Sequence, residues 1–449
     1  MLKNRYEIVF WGQTPWGLLH ALLWRTKQRD VLVIDDHSLS TASGGHRWLT
    51  QIEIQLLQEL GTRYHIAPLD GLESFLRPAT LKLQTPELQW VSGSSVRDNL
   101  REFVRKFPCF QTPLLLAALD GSELEEDYRK FAKAYLDWFR SPVVRNRGAS
   151  KFSFASAPWL GEFQQLLTQE LTKSYQGPGD GALSQLLAAY ASATLQVVKY
   201  DFQAVEAPYL LLRLLSPHWE LDERWFEREL ARELVKLGAN IKRTRIQSWQ
   251  IWDQKIEAAL LDSYEGVVAH DRLVMYGFPA SDGSLQCEFS EKVFRGLETL
   301  WPLDKTRSLE ETKAEICALT SSRLIGTDIP VLILEEGPQE VRLQVLVEER
   351  PGAKPEFYRQ EALETAAPLV APGISDWDSH QRGTSWDLWV EAPAKNATKA
   401  LAHLHERRSV KIVDRVEKLE LSGVDYWGPL MTQRFGLLGY LTELTWDLN

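Results

Sequence analysis

Residues 6–45 decide the fold, and they read YEIVFWGQTPWGLLHALLWRTKQRDVLVIDDHSLSTASGG. An apolar run of strand length at residues 6–11 leads into a turn, GQTPWG, at residues 12–17. A segment with a helical pattern follows, and then a second apolar strand at residues 31–34 that ends at Asp35. A strand, a tight turn, a helix and a second strand in this order predict the opening unit of a dinucleotide-binding fold.

Such a turn has four chemical requirements. A first glycine makes the sharp bend, a second lets the backbone approach a pyrophosphate, a third allows close helix packing, and an acid about twenty residues later binds a ribose hydroxyl. Gly12, Gly17 and Asp35 meet the first, third and fourth of these requirements. Thr14 stands at the second position, where its β-branched side chain narrows the space for phosphates. The same glycines would also suit a strand-turn-helix that needs them only for packing, and both interpretations stay open here.

Composition limits the function classes. The chain has 449 residues, of which 44% are hydrophobic and 25% charged, the balance of a globular protein with two or three domains. A net charge of −10 argues against a nucleic-acid partner, because phosphate binding needs clustered Lys and Arg. The three cysteines form no CxxC pair, and no apolar run approaches the roughly 20 residues of a spanning helix. We expect no transmembrane segment and a cytoplasmic location.

Most of residues 70–210 shows apolar residues at three-to-four spacing, which predicts a helix-rich insertion. Later in the chain, an amphipathic helix ends at Gly238, and short segments of β character follow up to residue 276. Residues 279–403 mix strand and helix patterns, and the chain closes with a strand, a glycine turn and a helix. The predicted helices cover residues 52–60, 96–107, 123–139, 160–175, 183–197, 225–237, 399–407 and 435–445.

The order of these parts resembles the flavin-dependent amine oxidase and phytoene desaturase superfamily across nearly the whole chain. Three segments carry the likeness. They are the opening unit with SGGHRW at residues 43–48, the stretch ELVKLGANIKRTRIQSWQIWDQKIEAALLDSYEGVVAHDRLVMYG at 233–277, and LELSGVDYWGPLMTQRFGLLGYLTEL at 419–444.

The resemblance implies FAD as the cofactor and a set of residues that would bind it. The closing helix would face the flavin and pyrophosphate with its N-terminus, whose free N–H groups and dipole favour anions. The backbone of Ile246 would meet the adenine. The implied cofactor-binding residues are Gly12, Thr14, Gly17, Asp35, Gly44, Gly45, Arg47, Ile246 and Gly436.

The sequence also departs from the family pattern, and the departures gather at positions expected to face the cofactor. Besides Thr14, His46 intrudes between Gly45 and Arg47, and the glycine-containing segment expected soon afterwards is missing. SPHWELD at residues 216–222 stands in place of an expected glycine pair. These losses predict a degenerate flavin site, although an altered mode of flavin binding is equally compatible with them.

We therefore predict an α/β protein with a discontinuous Rossmann-like, FAD-binding-type domain and a helix-rich, sheet-containing second domain. The first domain comprises residues 1–70, 213–280 and 405–449, and the substrate or partner domain comprises residues 71–212 and 281–404. Both ends of the first domain should border one crevice, with residues 12–17 close to residues 435–439.

Two functions follow from this sequence. One is a binding or scaffold protein with a degenerate flavin site, and the alternative is an active FAD-dependent oxidoreductase that acts on an amine or a hydrophobic substrate. No catalytic residue can be named, and no metal site is expected, because His403 and His405 lie two apart on a predicted helix and point to different faces. Five tryptophans either form an apolar pocket or partner surface or fill the core: Trp249, Trp252, Trp377, Trp386 and Trp389.

Overall fold

The computed structural model describes most of the first 276 residues and separate strands of the remainder. The described residues are 4–36, 48–84, 89–141, 152, 157–175, 183, 186, 190, 207–276, 285–289, 293–302, 314–319, 332–336, 340–348, 382–389, 410–414, 420–427 and 436–448.

The described strands, in chain order, are β1 Asn4–Trp11, β2 Val31–Asp35, β3 Trp48–Thr50, β4 Leu76–Gln84, β5 Gln89–Val91, β6 His218–Leu221, β7 Asn240–Arg243, β8 Ile246–Trp252, β9 Lys255–Leu261, β10 Gly266–Met275, β11 Leu285–Phe289, β12 Val293–Pro302, β13 Ala314–Leu319, β14 Leu332–Glu336, β15 Glu340–Glu348, β16 Arg382–Trp389, β17 Val410–Asp414, β18 Glu420–Leu421 and β19 Val424–Tyr426.

The described helices, in chain order, are α1 Pro15–Thr26, α2 Gln51–Tyr64, α3 Ala67–Asp70, α4 Val96–Lys106, α5 Pro113–Asp120, α6 Leu124–Phe139, α7 Pro158–Tyr175, α8 Ala207–Leu215, α9 Glu223–Lys236 and α10 Gly436–Asp447. Short 3-10 helices occupy Leu72–Phe75 and Pro108–Phe110.

The first sheet contains seven described strands in the order β7-β2-β1-β10-β9-β8, with β19 beside β10. β7, β2, β1, β10 and β19 run parallel to one another, whereas β9 and β8 pair antiparallel. In register, Trp11 stands opposite both Ile34 and Met275, and Asp35 stands opposite Arg243. The carboxyl ends of β1, β2, β7 and β10 therefore share one edge of the sheet, which we call the crevice edge.

Helix α1 is buried on every side, from residue 16 to residue 23. A helix that is apolar all round belongs in a core, and α1 packs beside β2 and α9. Together with the parallel strands, this arrangement is an α/β, Rossmann-like fold, as predicted. Asp35 ends a strand that lies beside the strand ending at Trp11, which also confirms the prediction.

The second sheet contains nine described strands in the order β16-β12-β15-β14-β13-β4-β6-β3, with β5 beside β4. Two of its strands come from ranges that we expected in the first domain, namely β3 within residues 1–70 and β6 within residues 213–280. Two more, β4 and β5, lie in the region expected to be helix-rich. A separate three-stranded sheet joins β11, β17 and β18.

Local signals in the sequence start and stop several helices. Ser95 and Asp222 cap α4 and α9, each accepting a hydrogen bond from a backbone N–H three residues on. Thr50 and Glu53 form a capping box at the start of α2. Gly238 follows α9 with a φ of 83°, a left-handed conformation that favours glycine, as the sequence predicted.

Six of the predicted helices are confirmed, by α2, α4, α6, α7, α9 and α10. The helix predicted at residues 399–407 and most of that at 183–197 lie outside the described residues. Among the described helices, none is long and apolar enough to cross a membrane.

Candidate functional site

The turn between β1 and α1 begins with a glycine in a conformation that other residues rarely adopt. Gly12 has a φ of 101°, which L-residues with a side chain rarely adopt. Its N–H donates to the carbonyl of Ile34 at 2.9 Å, which ties the turn to the end of β2. Glycine is therefore required at position 12 because of its backbone conformation.

Gly17 is the glycine that allows α1 to pack closely against its neighbours. A Cβ added there would lie 3.1 Å from the Tyr276 ring and 3.1 Å from Oγ1 of Thr14. Contacts this short leave no room for a side chain without a shift of neighbours that are themselves hydrogen-bonded. Gly17 thus lets α1 approach the residue that follows β10.

Thr14 is the N-cap of α1. Its hydroxyl oxygen accepts a hydrogen bond from the helix N-terminus that a bound ligand could otherwise accept. Oγ1 accepts a hydrogen bond from the Gly17 N–H at 2.9 Å, and the Thr14 carbonyl accepts from the Leu18 N–H at 2.9 Å. Pro15 has no N–H to offer. Within the first turn of α1, Pro15, Gly17 and Leu18 therefore have no backbone donor left for a phosphate.

A carboxylate lies next to the same turn. Oε1 of Glu227, on α9, accepts a hydrogen bond from Nε2 of Gln13 at 2.5 Å. Burial raises the pKa of Glu227, against the effect of the Gln13 hydrogen bond, and the negative charge of Asp35 raises it further. Asp35 itself lies with Oδ2 3.4 Å from Nε of Arg243, whose side chain is mostly exposed. Of these two acids, Glu227 is the one that lies beside the turn where an anionic pyrophosphate would bind.

The neighbouring part of the crevice edge is filled by Trp11 and Asp36, both buried. Oδ2 of Asp36 accepts hydrogen bonds from Nε1 of Trp11 at 3.0 Å and from the Ile246 N–H at 3.2 Å. Ile246 was expected to present its backbone to adenine, and its N–H is instead bound to a side chain of the same protein. The Trp249 ring packs edge-on against Trp11, with centroids 4.7 Å apart.

The two ends of the chain meet at this turn, as predicted. The Tyr440 hydroxyl on α10 donates to the carbonyl of Trp16 at 2.8 Å. It also lies 2.7 Å from the hydroxyl of Tyr276, which in turn is 2.8 Å from Nδ1 of His20. Because Tyr440 gives its proton to Trp16, Tyr276 donates to Tyr440.

A cluster of charged residues lies at the C-terminal end of α10. Arg272 binds Asp447 through two hydrogen bonds of 2.9 and 3.0 Å and Asp425 through one of 2.6 Å. Nε2 of His20 lies 3.2 Å from Oδ2 of Asp447. Burial alone would raise the pKa of Asp447, but the hydrogen bonds and charges of His20 and Arg272 outweigh it and hold that pKa well below its usual range.

A second buried cluster lies where α2, α8 and β6 meet. Arg213 and Glu53 form an ion pair with both side chains at most 1% exposed. Nε of Arg213 donates to the Tyr190 hydroxyl at 3.2 Å, and this hydroxyl lies 3.0 Å from Nε2 of His218. Burial, followed by the charge of Arg213, lowers the pKa of His218 to about 3. Arg213 and Glu53 are thus paired with each other in the interior, where removal of either would leave a buried charge uncompensated.

Four of the predicted cofactor-binding residues remain to be placed. Gly44, Gly45 and Arg47 lie outside the described residues, so their proposed contacts stay predictions. Gly436 begins α10. Among the described residues, no group of three His, Cys, Asp or Glu could hold a metal ion.

Several groups at the crevice edge already have partners within the protein. The Gly17 N–H is bound to Thr14 and the Ile246 N–H to Asp36, and the Glu227 carboxyl lies beside the turn. Of Thr14, Asp36 and Glu227, sequence reasoning found Thr14 alone. No local sequence signal marks Asp36 or Glu227, because their partners lie 210 and 214 residues away in the chain.

No protein-family model matches the chain, and no curated protein matches it. Solved structures with a similar overall arrangement include a peptidyl tryptophan dihydroxylase (11% identity, TM-score 0.45, 95% of this chain and 60% of that one). They also include a flavin-dependent brominase (12% identity, TM-score 0.43, 99% and 78%) and Rab GDI from Plasmodium falciparum (9% identity, TM-score 0.45, 99% and 99%). The chain thus spans about three fifths of the dihydroxylase. Matches at these TM-scores assign no role to any residue.

Proposed function

We propose that this chain is a divergent protein of the FAD-dependent oxidoreductase type, with a degenerate flavin site and a binding or scaffold role. The observation that carries the proposal is the 2.9 Å hydrogen bond from the Gly17 N–H to Oγ1 of Thr14. A phosphate at the N-terminus of α1 would use this N–H. To do so it would have to displace an acceptor that is already held in the turn.

The charge around the turn supports the same conclusion. Glu227 is held beside Gln13, and its carboxyl lies close enough to Asp35 for the charge of Asp35 to raise its pKa. A pyrophosphate at the turn would be repelled by the Glu227 carboxylate, and partial burial weakens the screening by solvent. Arg243, the cation beside Asp35, has a side chain that is 77% exposed, so its compensation is weak.

Exposed apolar side chains support a binding role. Trp252 and Ile251 stand exposed on β8, an edge strand of the first sheet, and Trp225 stands exposed on α9. Aromatic side chains of this kind are enriched at protein interfaces. Of the other tryptophans singled out from the sequence, Trp386 and Trp389 lie in β16 and Trp377 lies outside the described residues.

The proposal includes the domain division given above, with residues 71–212 and 281–404 as the partner domain. It also includes a cytoplasmic location and the absence of a nucleic-acid partner, both from composition and charge. The described part of the second sheet extends into the first domain through β3 and β6. A partner bound to either domain would therefore bind to a domain that contributes strands to this sheet.

The alternative is an active FAD-dependent oxidoreductase with an amine or hydrophobic substrate. The observation that favours it is the preserved backbone of the turn, with Gly12 at a positive φ and Gly17 in close packing. In that case bound FAD would supply the redox chemistry, and the protein would supply orientation.

Flavin retention separates the two functions. The purified protein is equilibrated with excess FAD and dialysed, and the remaining flavin is measured by its visible absorbance relative to protein. We expect no stoichiometric flavin, either before or after equilibration. Protein that purifies yellow, with one FAD per chain, would contradict the degenerate site and support the enzyme.

A further inference from the structure

The side chains of Trp11 and Asp36 form one buried unit at the crevice edge. Trp11 is 4% exposed and Asp36 is 3% exposed. One carboxylate oxygen of Asp36 accepts from both the Trp11 indole at 3.0 Å and the Ile246 N–H at 3.2 Å. The unit links the end of β1, the residue after β2 and the first residue of β8, and Trp249 packs against it.

This unit stands where a crevice of this kind takes up a base. Nucleotides bind beyond the carboxyl ends of parallel strands, with the ribose against an acid at the end of the second strand. Asp35 holds that place in this chain, and Asp36 is the next residue. A base needs an apolar slot for a flat ring and polar groups that fix its edge. The Trp11 indole provides a flat ring, and Asp36 provides an acceptor for a backbone N–H.

We propose, on the basis of the function proposed above, that Trp11 and Asp36 occupy the base subsite from within. They close the crevice to adenine nucleosides and nucleotides, whether or not these carry phosphate. This cause of exclusion is separate from the one at the turn. Thr14 and Glu227 act against the pyrophosphate, whereas Trp11 and Asp36 act against the base. A nucleoside without phosphate therefore tests the base subsite alone.

Adenosine is the probe, and Trp11→Ala is the variant that empties the slot. We expect the thermal unfolding midpoint of Trp11→Ala to rise with adenosine concentration, because a ligand that binds only the native state stabilises it. The unmodified protein should show no rise. A rise in the unmodified protein would overturn the proposal.

Trp90→Ala is the matched control. Trp90 is another buried tryptophan, but it lies in the second sheet against Phe103. Free indole should raise the unfolding midpoint of both variants, since an apolar cavity takes up an aromatic molecule of matching size. Adenosine should act on Trp11→Ala alone. A Trp11→Ala variant that responds to indole and not to adenosine overturns the proposal.

Hydrogen exchange provides a second test that does not depend on the stability of Trp11→Ala. In the unmodified protein, the Ile246 amide should exchange slowly because Asp36 accepts its hydrogen bond. Asp36→Ala should make that exchange faster, and equal exchange in both proteins would contradict the proposal. A colourless protein that binds adenosine would refute this proposal and leave the proposed function standing, whereas bound FAD would refute both.

Discussion

The hydroxyl of Tyr440 donates a 2.8 Å hydrogen bond to the backbone carbonyl of Trp16. Two residues 424 positions apart in the chain are joined in this way, so the last helix is fixed to the first turn. The shape of the crevice edge therefore depends on a contact between the two ends of the protein, and the stability of the turn should respond to changes in α10.

Tyr440→Phe should lower the free energy of unfolding by about 1–3 kcal/mol, the cost of leaving buried polar partners unsatisfied. The Trp16 carbonyl would lose its donor and the Tyr276 hydroxyl its acceptor. Urea denaturation of the variant and the unmodified protein measures the difference. Tyr64→Phe is the matched control, because the buried Tyr64 hydroxyl has no hydrogen-bond partner among the described residues. A loss of similar size in both variants would contradict the role of the Tyr440 hydrogen bonds.

Asp447→Asn should destabilise the protein at neutral pH and much less in acid. The folded-state pKa of Asp447 is depressed, so its contribution is complete above its unfolded value of about 4 and is lost as the pH falls through the lower folded value. We expect a loss on the order of 2 kcal/mol at pH 7. Urea denaturation at neutral pH and below the unfolded pKa provides the comparison.

The control for this variant is Asp137→Asn. The Asp137 side chain is 65% exposed and lies 3.7 Å from Arg140, an arrangement in which an ion pair contributes little. Its substitution should change the unfolding free energy by much less at either pH. An Asp447→Asn effect that is equally large at both pH values would show that packing, and not the charge of Asp447, causes the loss.

The fold of residues 6–35 could be predicted because its signals are local. Alternating apolar and turn residues mark β1, α1 and β2 within one short stretch. The strand β4 was missed although one partner, β5, follows it closely, because its other two partners are remote: β6 lies more than a hundred residues later and β13 still further along the chain. Strand pairing of this kind depends on tertiary context more than on local propensity.

The residues of the candidate site also divide into those with a local sequence signal and those without one. Thr14 could be recognised as an obstacle from its position between two glycines, because the requirement for glycine is local. The groups that complete the site were not recognisable. Asp36 binds a backbone N–H 210 residues away, and Gln13 binds a carboxylate 214 residues away. Neither pairing leaves a pattern in the neighbouring sequence.

His218→Gln should flatten the pH dependence of stability in mild acid. Burial and Arg213 lower the folded-state pKa of His218 to about 3, so between this value and the unfolded value of about 6.5 the unfolded chain binds the extra proton. The stability contributed by neutral His218 is complete above that range and falls as the pH drops. At pH 5 the loss amounts to about 2 kcal/mol. Unfolding free energies at pH 7.5 and 5 should converge in the variant, and an unchanged difference would contradict the prediction.

Gly17→Ala should destabilise the protein by about 1–3 kcal/mol, the usual range for overpacking a core. Its Cβ would lie 3.1 Å from the Tyr276 ring, which is fixed by hydrogen bonds to Tyr440 and His20. Gly161→Ala is the matched control, since among the described residues no atom outside the local backbone of α7 lies within 4 Å of its added Cβ. That variant should instead gain about 0.5–1 kcal/mol from the better helix propensity of Ala. Urea denaturation should give opposite signs for the two substitutions.

Thr14→Gly should raise the affinity for FAD by a modest amount. The substitution frees the Gly17 N–H and gives the backbone room for a phosphate, while Gly in place of Thr at an N-cap costs little stability. The gain is modest because Glu227 still repels the pyrophosphate and Asp36 still binds the Ile246 N–H. A rise in the thermal unfolding midpoint on adding FAD measures it. Thr14→Ser keeps the hydroxyl acceptor and should show no rise, so equal responses from the two variants would show that the hydroxyl does not exclude the cofactor.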